Sequence, residues 1–180
     1  MSGGVRPKPQ RLRPAVPGVL AFGANLGERE ATLRAALAAL DAVPGIRIDA
    51  VSPFYETPAL KPAGVDHGAP AYLNAVARIH TTLDPLSLLD AVNAVEDEFG
   101  RVREERWGDR TIDIDIVDYD GRTSSDDRLT LPHPRAAERG FVLVPWLAVD
   151  PDAVLTGHGR VADLAARVTD TVTLYSGGAA

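Results

Sequence analysis

The segment Arg101–Tyr119 restricts the fold most strongly, because it joins a cluster of arginines to a regular alternation of isoleucine and aspartate. In Ile112–Ile116 every second residue is isoleucine, and the residues between them are Asp113 and Asp115. Successive side chains of a β-strand point to opposite faces, so the alternation predicts a strand whose isoleucines face a core and whose carboxylates share the other face. Carboxylates bind hard cations and arginines bind phosphate oxygens, so the segment predicts a site for a metal-bound polyphosphate.

A D-x-D pattern alone is not specific, because it also occurs in glycosyltransferases, nucleases and ordinary solvated strands. The arginines directly before it favour a functional site over a solvated strand. They surround Trp107 and are Arg101, Arg103, Arg106 and Arg110. The first 18 residues carry four basic residues and no acid, and the remainder has a formal charge of −10. Such a body disfavours nucleic-acid binding, so the arginine cluster is a local feature. The alternative is that these arginines pair with neighbouring acids on a solvated loop.

Length and composition favour one globular domain of 180 residues, 45% of them hydrophobic. Residues 1–17 contain four prolines and few large apolar groups, so we expect a disordered tail there and a single domain over residues 18–180. No apolar run approaches the roughly 20 residues of a membrane helix, so no membrane association is expected. The chain has no cysteine, which fits a cytoplasmic protein. We expect a monomer.

Hydrophobic periodicity predicts the element order β-α-β-β-α-β. The strands are expected at 19–22, 46–55, 72–81 and 111–119, and the helices from Asn25–Glu28 to Pro44 and from Asp84–Pro85 to Gly100. This order predicts an α+β, ferredoxin-like (βαββαβ) fold, with an antiparallel sheet, helices on one face and C-terminal additions.

Later segments are expected to add to this core. A turn at Asp120–Gly121 is followed by a short return strand at 129–131, a helical segment within 135–149 and a short helix at 161–168. A long exposed loop at 56–70 is expected to be a binding element or a lid. Asp113, Asp115, Tyr72 and Asn74 can then share the sheet face opposite the helices, unless later segments cover it.

The common nucleotide and nucleophile motifs are absent. The sequence has no P-loop, no G-x-G-x-x-G signature and no serine or cysteine in a nucleophile motif. The histidines are scattered without the spacing of metal ligands.

Several motifs, taken in order, resemble those of the 6-hydroxymethyl-7,8-dihydropterin pyrophosphokinases of folate biosynthesis. The motifs are FGANLG at 22–27, YETPAL at 55–60, YLNA at 72–75, GRVR at 100–103, RWGDRTIDIDI at 106–116, and RLTLPHP through RGF at 128–141. The resemblance covers roughly residues 19–152. It implies a small ferredoxin-like enzyme that moves pyrophosphate from ATP to the pterin hydroxymethyl group, giving AMP, with two Mg²⁺ ions and ATP as co-substrate.

The resemblance also assigns site residues. It implies that Asp113 and Asp115 bind the magnesium ions and that Arg101, Arg110 and Asp115 are catalytic. The residues that match ATP-binding positions are Asn93, Glu96, Arg103, Trp107, Arg128, Thr130, His133 and Arg139. Those that match the pterin pocket are Thr57, Pro58, Ala59, Leu60, Tyr72, Asn74 and Phe141. Phosphoryl transfer depends on alignment and on neutralising spread charge, which this set can provide.

The sequence departs from the family pattern at a few positions. Asp109 stands where the family usually has proline, and Pro134 replaces an aromatic residue of some members. We expect these changes to alter loop motion or nucleotide affinity without abolishing activity. Two other function classes stay open at this point: a metal-dependent phosphohydrolase or nuclease using Asp113 and Asp115, and a non-catalytic ferredoxin-like binding module. Either aspartate could accept the proton of the pterin hydroxyl.

Overall fold

The computed structural model of the chain describes residues 13–25, 27–61, 64–66, 71–100 and 112–177. Its strands are β1 (Val16–Ala24), β2 (Ile46–Val51), β3 (Tyr55–Thr57), β4 (Ala59–Lys61), β5 (Gly64–Asp66), β6 (Tyr72–Thr81), β7 (Ile112–Tyr119), β8 (Ser124–Ser125), β9 (Thr130–Leu131), β10 (Val154–Leu155), β11 (Gly159–Arg160) and β12 (Thr173–Leu174). Its α-helices are α1 (Arg29–Asp41), α2 (Pro85–Gly100), α3 (Gly140–Val149) and α4 (Val161–Ala165), with a 3₁₀ turn at Ala136–Glu138.

The main sheet is antiparallel. β1 pairs with β6 on one side and with β7 on the other; β6 also pairs with β2 and β3, and β12 adds to β3. This confirms the predicted α+β class and antiparallel sheet. β1 begins at Val16, three residues before the strand predicted at 19–22. The carbonyl of Pro17 accepts a hydrogen bond from Asp120 N at 2.8 Å, which ties this start of the sheet to the turn after β7.

The strand predicted at 46–55 is interrupted. Ser52 N–H still donates to the carbonyl of Val76 at 2.8 Å, but the N–H of Val76 donates to Ser52 Oγ at 3.0 Å and not to a backbone carbonyl. The same Oγ donates to Pro53 O at 2.7 Å. Pro53 has no N–H for a strand ladder. The chain therefore divides into β2 and β3, and the predicted 56–70 loop contains the end of β3 and the β4–β5 hairpin.

The first helix begins later than predicted. α1 begins at Arg29 after Glu28, and no side chain caps it. Asn25, predicted as part of a helix-start pair, instead follows β1 directly and is only 6% exposed. The preceding strand extends beyond its predicted end at residue 22, because β1 continues through Ala24.

The first core lies between the sheet and helices α1 and α2. α1 contributes the apolar stripe Leu33, Ala36 and Leu40, and α2 contributes Leu88, Val92 and Val95. α2 begins as predicted, because Asp84 Oδ1 accepts the N–H of Ser87 at 2.8 Å and Oδ2 accepts its hydroxyl at 3.0 Å.

A second core covers part of the opposite face, so the prediction of helices on one face is wrong. α3 is apolar on all sides and places Val142, Leu143 and Trp146 against Ala21, Val76 and Val117 of the sheet, with α4 packed beside it. A helix without a polar face is favoured in a largely buried position, which explains why α3 packs against the sheet. α4 ends at Ala165, three residues before the predicted end of that helix.

The return strand forms as β9, but it pairs with β8 and not with β7. The turn before it has positive φ at both Asp120 and Gly121, as the Asp-Gly pair predicts. Across the described ranges, no helix is both long enough and apolar enough to span a bilayer.

Candidate active site

Strand β7 presents both aspartates on the face that α3 covers only in part. Asp113 lies opposite Gly23 and Asp115 opposite Ala21, while Ile112, Ile114 and Ile116 are buried in the first core. Asp113 is exposed, and the side chain of Asp115 is 42% exposed. The alternation of the sequence therefore produces the predicted arrangement, with two carboxylates on one solvent-accessible face of the strand.

Two basic side chains predicted to bind ATP approach Asp115. His133 Nε2 lies 3.9 Å and Arg139 Nη1 lies 3.8 Å from Asp115 Oδ2. The N–H of His133 donates to the carbonyl of Val117 at 2.9 Å, so the turn that carries this histidine is fixed to β7. Burial lowers the pKa of His133; Asp115 opposes this effect, while Arg139 and Arg135 add to it. The neutral imidazole is favoured, which leaves Arg139 as the cation facing Asp115.

Arg139 also joins this group to Phe141, a predicted pterin residue. Its carbonyl begins α3 by accepting the N–H groups of Val142 and Leu143, each at 3.0 Å. Its guanidinium carbon lies 5.4 Å from the centre of the Phe141 ring, a cation–π distance. The start of α3 therefore brings a cation and a half-buried aromatic ring to the edge of the aspartate-bearing face.

The predicted pterin residues Thr57, Tyr72 and Asn74 lie together. Thr57 is opposite Tyr72 in the β3–β6 register, and Asn74 Nδ2 donates to Thr57 Oγ1 at 2.9 Å. Asn74 is 3% exposed and Thr57 is 8% exposed, so both groups are held in fixed positions. Of the other predicted residues here, Pro58 follows β3, and Ala59 and Leu60 begin the β4 strand.

Gly23 connects the two halves of the site, and the sequence interpretation missed it. It lies opposite Asn74 on β6 and opposite Asp113 on β7. A Cβ at this position would lie 3.4 Å from Asn74 Oδ1 and 4.0 Å from Tyr72 Cδ1. Because glycine has no side chain, the surface between the amide and the carboxylates stays open. The motif FGANLG contains this glycine, but the predicted strand ends at residue 22, one position before it.

The other predicted ATP residues lie along α2 and β9. Glu96 Oε1 accepts the N–H of Ile114 at 2.6 Å, so this carboxylate holds the outer side of β7. Arg128 Nη2 contacts Asp90 Oδ1 at 2.5 Å on the surface. Asn93 on α2 and Thr130 on β9 are both exposed. Of these four, Glu96 contacts the outer edge of β7 directly, and Arg128 is paired with an acid of α2.

The remaining predicted residues lie outside the described part of the chain. They are Arg101, Arg103, Trp107 and Arg110, together with Arg106 and Asp109 of the same segment.

The donor set of β7 suits magnesium shared with a phosphate. Within the described part of the chain, no group of three or more His, Cys, Asp or Glu side chains is arranged to hold a metal ion. Mg²⁺ is commonly bound by one or two carboxylates and by substrate phosphates, with water completing the octahedron. Asp113 and Asp115 provide two hard oxygen ligands on an accessible face, so they fit that mode of binding.

The matching family and the similar curated proteins carry the same pyrophosphokinase description. Residues 19–151 match the family described as 7,8-dihydro-6-hydroxymethylpterin-pyrophosphokinase. A Methylorubrum extorquens protein named 2-amino-4-hydroxy-6-hydroxymethyldihydropteridine pyrophosphokinase is 46% identical over 139 residues, which is 77% of this chain and 85% of that protein. A Pseudomonas aeruginosa protein of the same name is 41% identical over 147 residues, covering 82% of this chain and 88% of the relative.

Solved structures resemble the fold. Plasmodium falciparum HPPK-DHPS A437G superimposes with a TM-score of 0.66 at 14% identity, covering 87% of this chain. The match spans 46% of that longer chain, so this protein corresponds to about half of it. At this identity the likeness concerns the fold alone.

Proposed function

Because this chain belongs to the 7,8-dihydro-6-hydroxymethylpterin-pyrophosphokinase family, it transfers pyrophosphate to a hydroxymethyldihydropterin in folate biosynthesis, and we propose that the sheet face around Asp113, Asp115 and Asn74 carries out the transfer. The pterin hydroxyl oxygen forms a bond to the β-phosphorus of ATP, the bond from that phosphorus to the α-phosphate oxygen breaks, and AMP leaves. The observation that carries this proposal is the position of Gly23, a residue without a side chain that lies opposite the buried Asn74 on one neighbouring strand and opposite Asp113 on the other.

The carboxylates of Asp113 and Asp115 are proposed to hold two Mg²⁺ ions. When bound, the ions neutralise charge on the transferring phosphates and hold them in line with the acceptor oxygen. Support comes from the oxygen-only donor pair and from its position on a rigid strand between β1 and the Glu96 contact. Either carboxylate can also accept the proton released from the pterin hydroxyl.

The triphosphate is proposed to lie on the side of Asp115 where Arg139 and His133 stand. Nδ1 of His133 accepts the N–H of Arg135 at 3.2 Å, so a neutral His133 can donate one hydrogen bond through Nε2, and Arg139 supplies a permanent positive charge. The set proposed to complete the nucleotide site is Asn93, Glu96, Arg103, Trp107, Arg128 and Thr130, with Arg101 and Arg110 neutralising the transferring phosphates. Arg128 would exchange its carboxylate partner Asp90 for phosphate, which is feasible because both side chains are more than half exposed.

The pterin is proposed to bind beside Gly23. Asn74 donates to Thr57 through Nδ2, and its Oδ1 faces the glycine, where it can accept a hydrogen bond from the amino edge of a pterin. Tyr72 and Phe141 can cover the faces of the flat ring. Thr57, Pro58, Ala59 and Leu60 are proposed to contribute to the same pocket.

Further properties follow as proposals. We infer a ferredoxin-like arrangement, since β7, β1, β6 and β2 adjoin in that order in an antiparallel sheet and α1 and α2 cover one face. The body from residue 18 to 180 is proposed to fold as one domain and to act as a monomer. A cytoplasmic location suits an enzyme whose co-substrate is ATP.

The test is an assay with ATP, Mg²⁺ and 6-hydroxymethyl-7,8-dihydropterin, with separation of the nucleotide products. Formation of AMP that depends on the pterin supports the proposal. ADP or inorganic phosphate without AMP would indicate a phosphohydrolase, and an absence of turnover with pterin binding retained would indicate a binding module. The reaction without pterin is the control for slow ATP hydrolysis.

A further inference from the structure

Arg29, the first residue of α1, connects four parts of the chain. Its Nη1 donates a hydrogen bond to the carbonyl of Ala71 at 2.6 Å and lies 3.6 Å from Glu56 Oε2. Its guanidinium carbon is 5.8 Å from the centre of the Tyr175 ring. The side chain is only 23% exposed, so these contacts are partly shielded from water. A single guanidinium therefore links α1, β3, the entrance to β6 and the C-terminal segment.

The two residues that Arg29 contacts on the sheet are immediate neighbours of proposed pterin residues. Glu56 precedes Thr57 and Ala71 precedes Tyr72, and Thr57 and Tyr72 are paired across β3 and β6. Arg29 thus fixes both points at which the chain leaves and re-enters the sheet around residues 58–70. A displacement at either point would move the Thr57 hydroxyl away from the Asn74 amide.

The C-terminal segment supports this contact and lies outside the family match, which ends at residue 151. β12 pairs with β3, with Thr173 opposite Glu56, and Tyr175 N donates to Phe54 O at 2.9 Å. These bonds hold the Tyr175 ring over Arg29, where cation–π attraction favours the guanidinium. The C-terminal segment therefore covers the edge of β3 and also limits the movement of the Arg29 side chain.

We propose that Arg29, held against Tyr175, is a positioning residue that sets the geometry of the pterin pocket without touching the pterin. This inference rests on the proposed function, because it takes Thr57, Tyr72 and Asn74 as the pocket. Arg29 Nη1 approaches both the carbonyl of Ala71 and the carboxylate of Glu56, while the rest of the guanidinium lies by the Tyr175 ring. The compact, strongly hydrated ammonium of lysine can replace the charge but not the flat group beside the ring.

The experiment compares Arg29→Ala with Arg34→Ala. Arg34 is a matched control, because it lies on the same helix, pairs with Glu30 at 2.9 Å and lies 5.1 Å from the Phe54 ring, but its described contacts include neither Glu56 nor Ala71. Arg29→Ala is expected to raise the KM for the pterin about tenfold, with kcat and the KM for ATP changed less than about twofold. Arg29→Lys is expected to lie between wild type and alanine. Tyr175→Leu is expected to shift the same constant in the same direction by a smaller factor.

Hydrogen exchange provides a measurement that does not depend on turnover. Peptides covering 55–57 and 71–74 are expected to exchange faster in Arg29→Ala than in wild type or Arg34→Ala, while peptides of β1 stay unchanged. The inference is overturned if exchange at these peptides is unaltered, or if both alanine variants change the pterin KM equally. Failure of the proposed function is separate, since the wild-type enzyme would then form no pterin-dependent AMP.

Discussion

Replacement of Glu96 tests how the aspartate-bearing strand is held in place. β7 is the outer strand of the main sheet, so its outward N–H groups have no neighbouring strand within the described ranges. Glu96 Oε1 accepts one of them, from Ile114, at 2.6 Å. Ile114 lies between Asp113 and Asp115, so this bond fixes the part of the strand that carries both carboxylates. We expect Glu96→Ala to lower the free energy of unfolding and to weaken the site.

The size of the effect follows from the kind of bond. A hydrogen bond to a charged group contributes about 1.5–3 kcal/mol, and the lower part of this range applies because water can reach a partly exposed bond. Alanine favours the helix by a few tenths of a kcal/mol relative to glutamate, which offsets little. We therefore expect a loss of about 1.5 kcal/mol, or a Tm lower by about 3–6 °C for a domain of this size. Glu96→Gln keeps an acceptor and should lose about half as much.

The assay is urea denaturation of wild type, Glu96→Ala, Glu96→Gln and Glu98→Ala. Glu98 is an exposed glutamate on the same helix, and its replacement should change stability by less than about 0.5 kcal/mol. If Glu96→Ala is no less stable than Glu98→Ala, the contact with Ile114 does not hold β7. Equal losses for the glutamine and alanine variants would show that acceptance of the N–H is not the source of the effect.

Three further predictions concern a proposed metal ligand, the cap of α2 and the second core. Asp115→Ala should lower kcat more than about 100-fold while stability changes by less than about 1 kcal/mol; a large loss in a urea titration instead would indicate a structural role. Asp84→Ala should lose about 1 kcal/mol at pH 7. The hydrogen bonds from Ser87 lower the pKa of Asp84 below 3.8, so this contribution is present above pH 3.8 and should fade as the pH falls through the lowered pKa; a difference from wild type that persists unchanged at pH 2 would refute the assignment. Leu143→Ala should lose about 2–5 kcal/mol by urea denaturation, because the Leu143 side chain on α3 is fully buried in the second core, and a loss below 1 kcal/mol would contradict that core.

The features that the sequence predicted well depend on local periodicity. The Ile-Asp alternation gave β7 and the faces of its side chains, and the Asp84 cap gave the start of α2. The class of the fold followed from the order of such elements. Each of these depends on residues within a few positions of one another, where backbone geometry alone decides which side chains share a face.

The features that it missed depend on contacts between distant segments. The docking of α3 on the sheet requires a match with Ala21 and Val76, which the apolar sequence of the helix does not specify. The role of Gly23 depends on its neighbours on β6 and β7, which are distant from it in the sequence. The link from Arg29 to Ala71 and Tyr175 joins residues far apart in the sequence, and no motif marks it.

Counting the metal ions in the substrate complex tests whether Asp113 and Asp115 bind two Mg²⁺ ions. With a non-hydrolysable ATP analogue, the pterin and Mn²⁺ in place of Mg²⁺, electron paramagnetic resonance counts the ions bound to each protein molecule. We expect two for wild type and for the exposed control Asp163→Asn, and fewer than two, or markedly weaker binding, for Asp113→Asn and Asp115→Asn. Two ions bound with unchanged affinity in both of these variants would contradict the assignment of the β7 carboxylates.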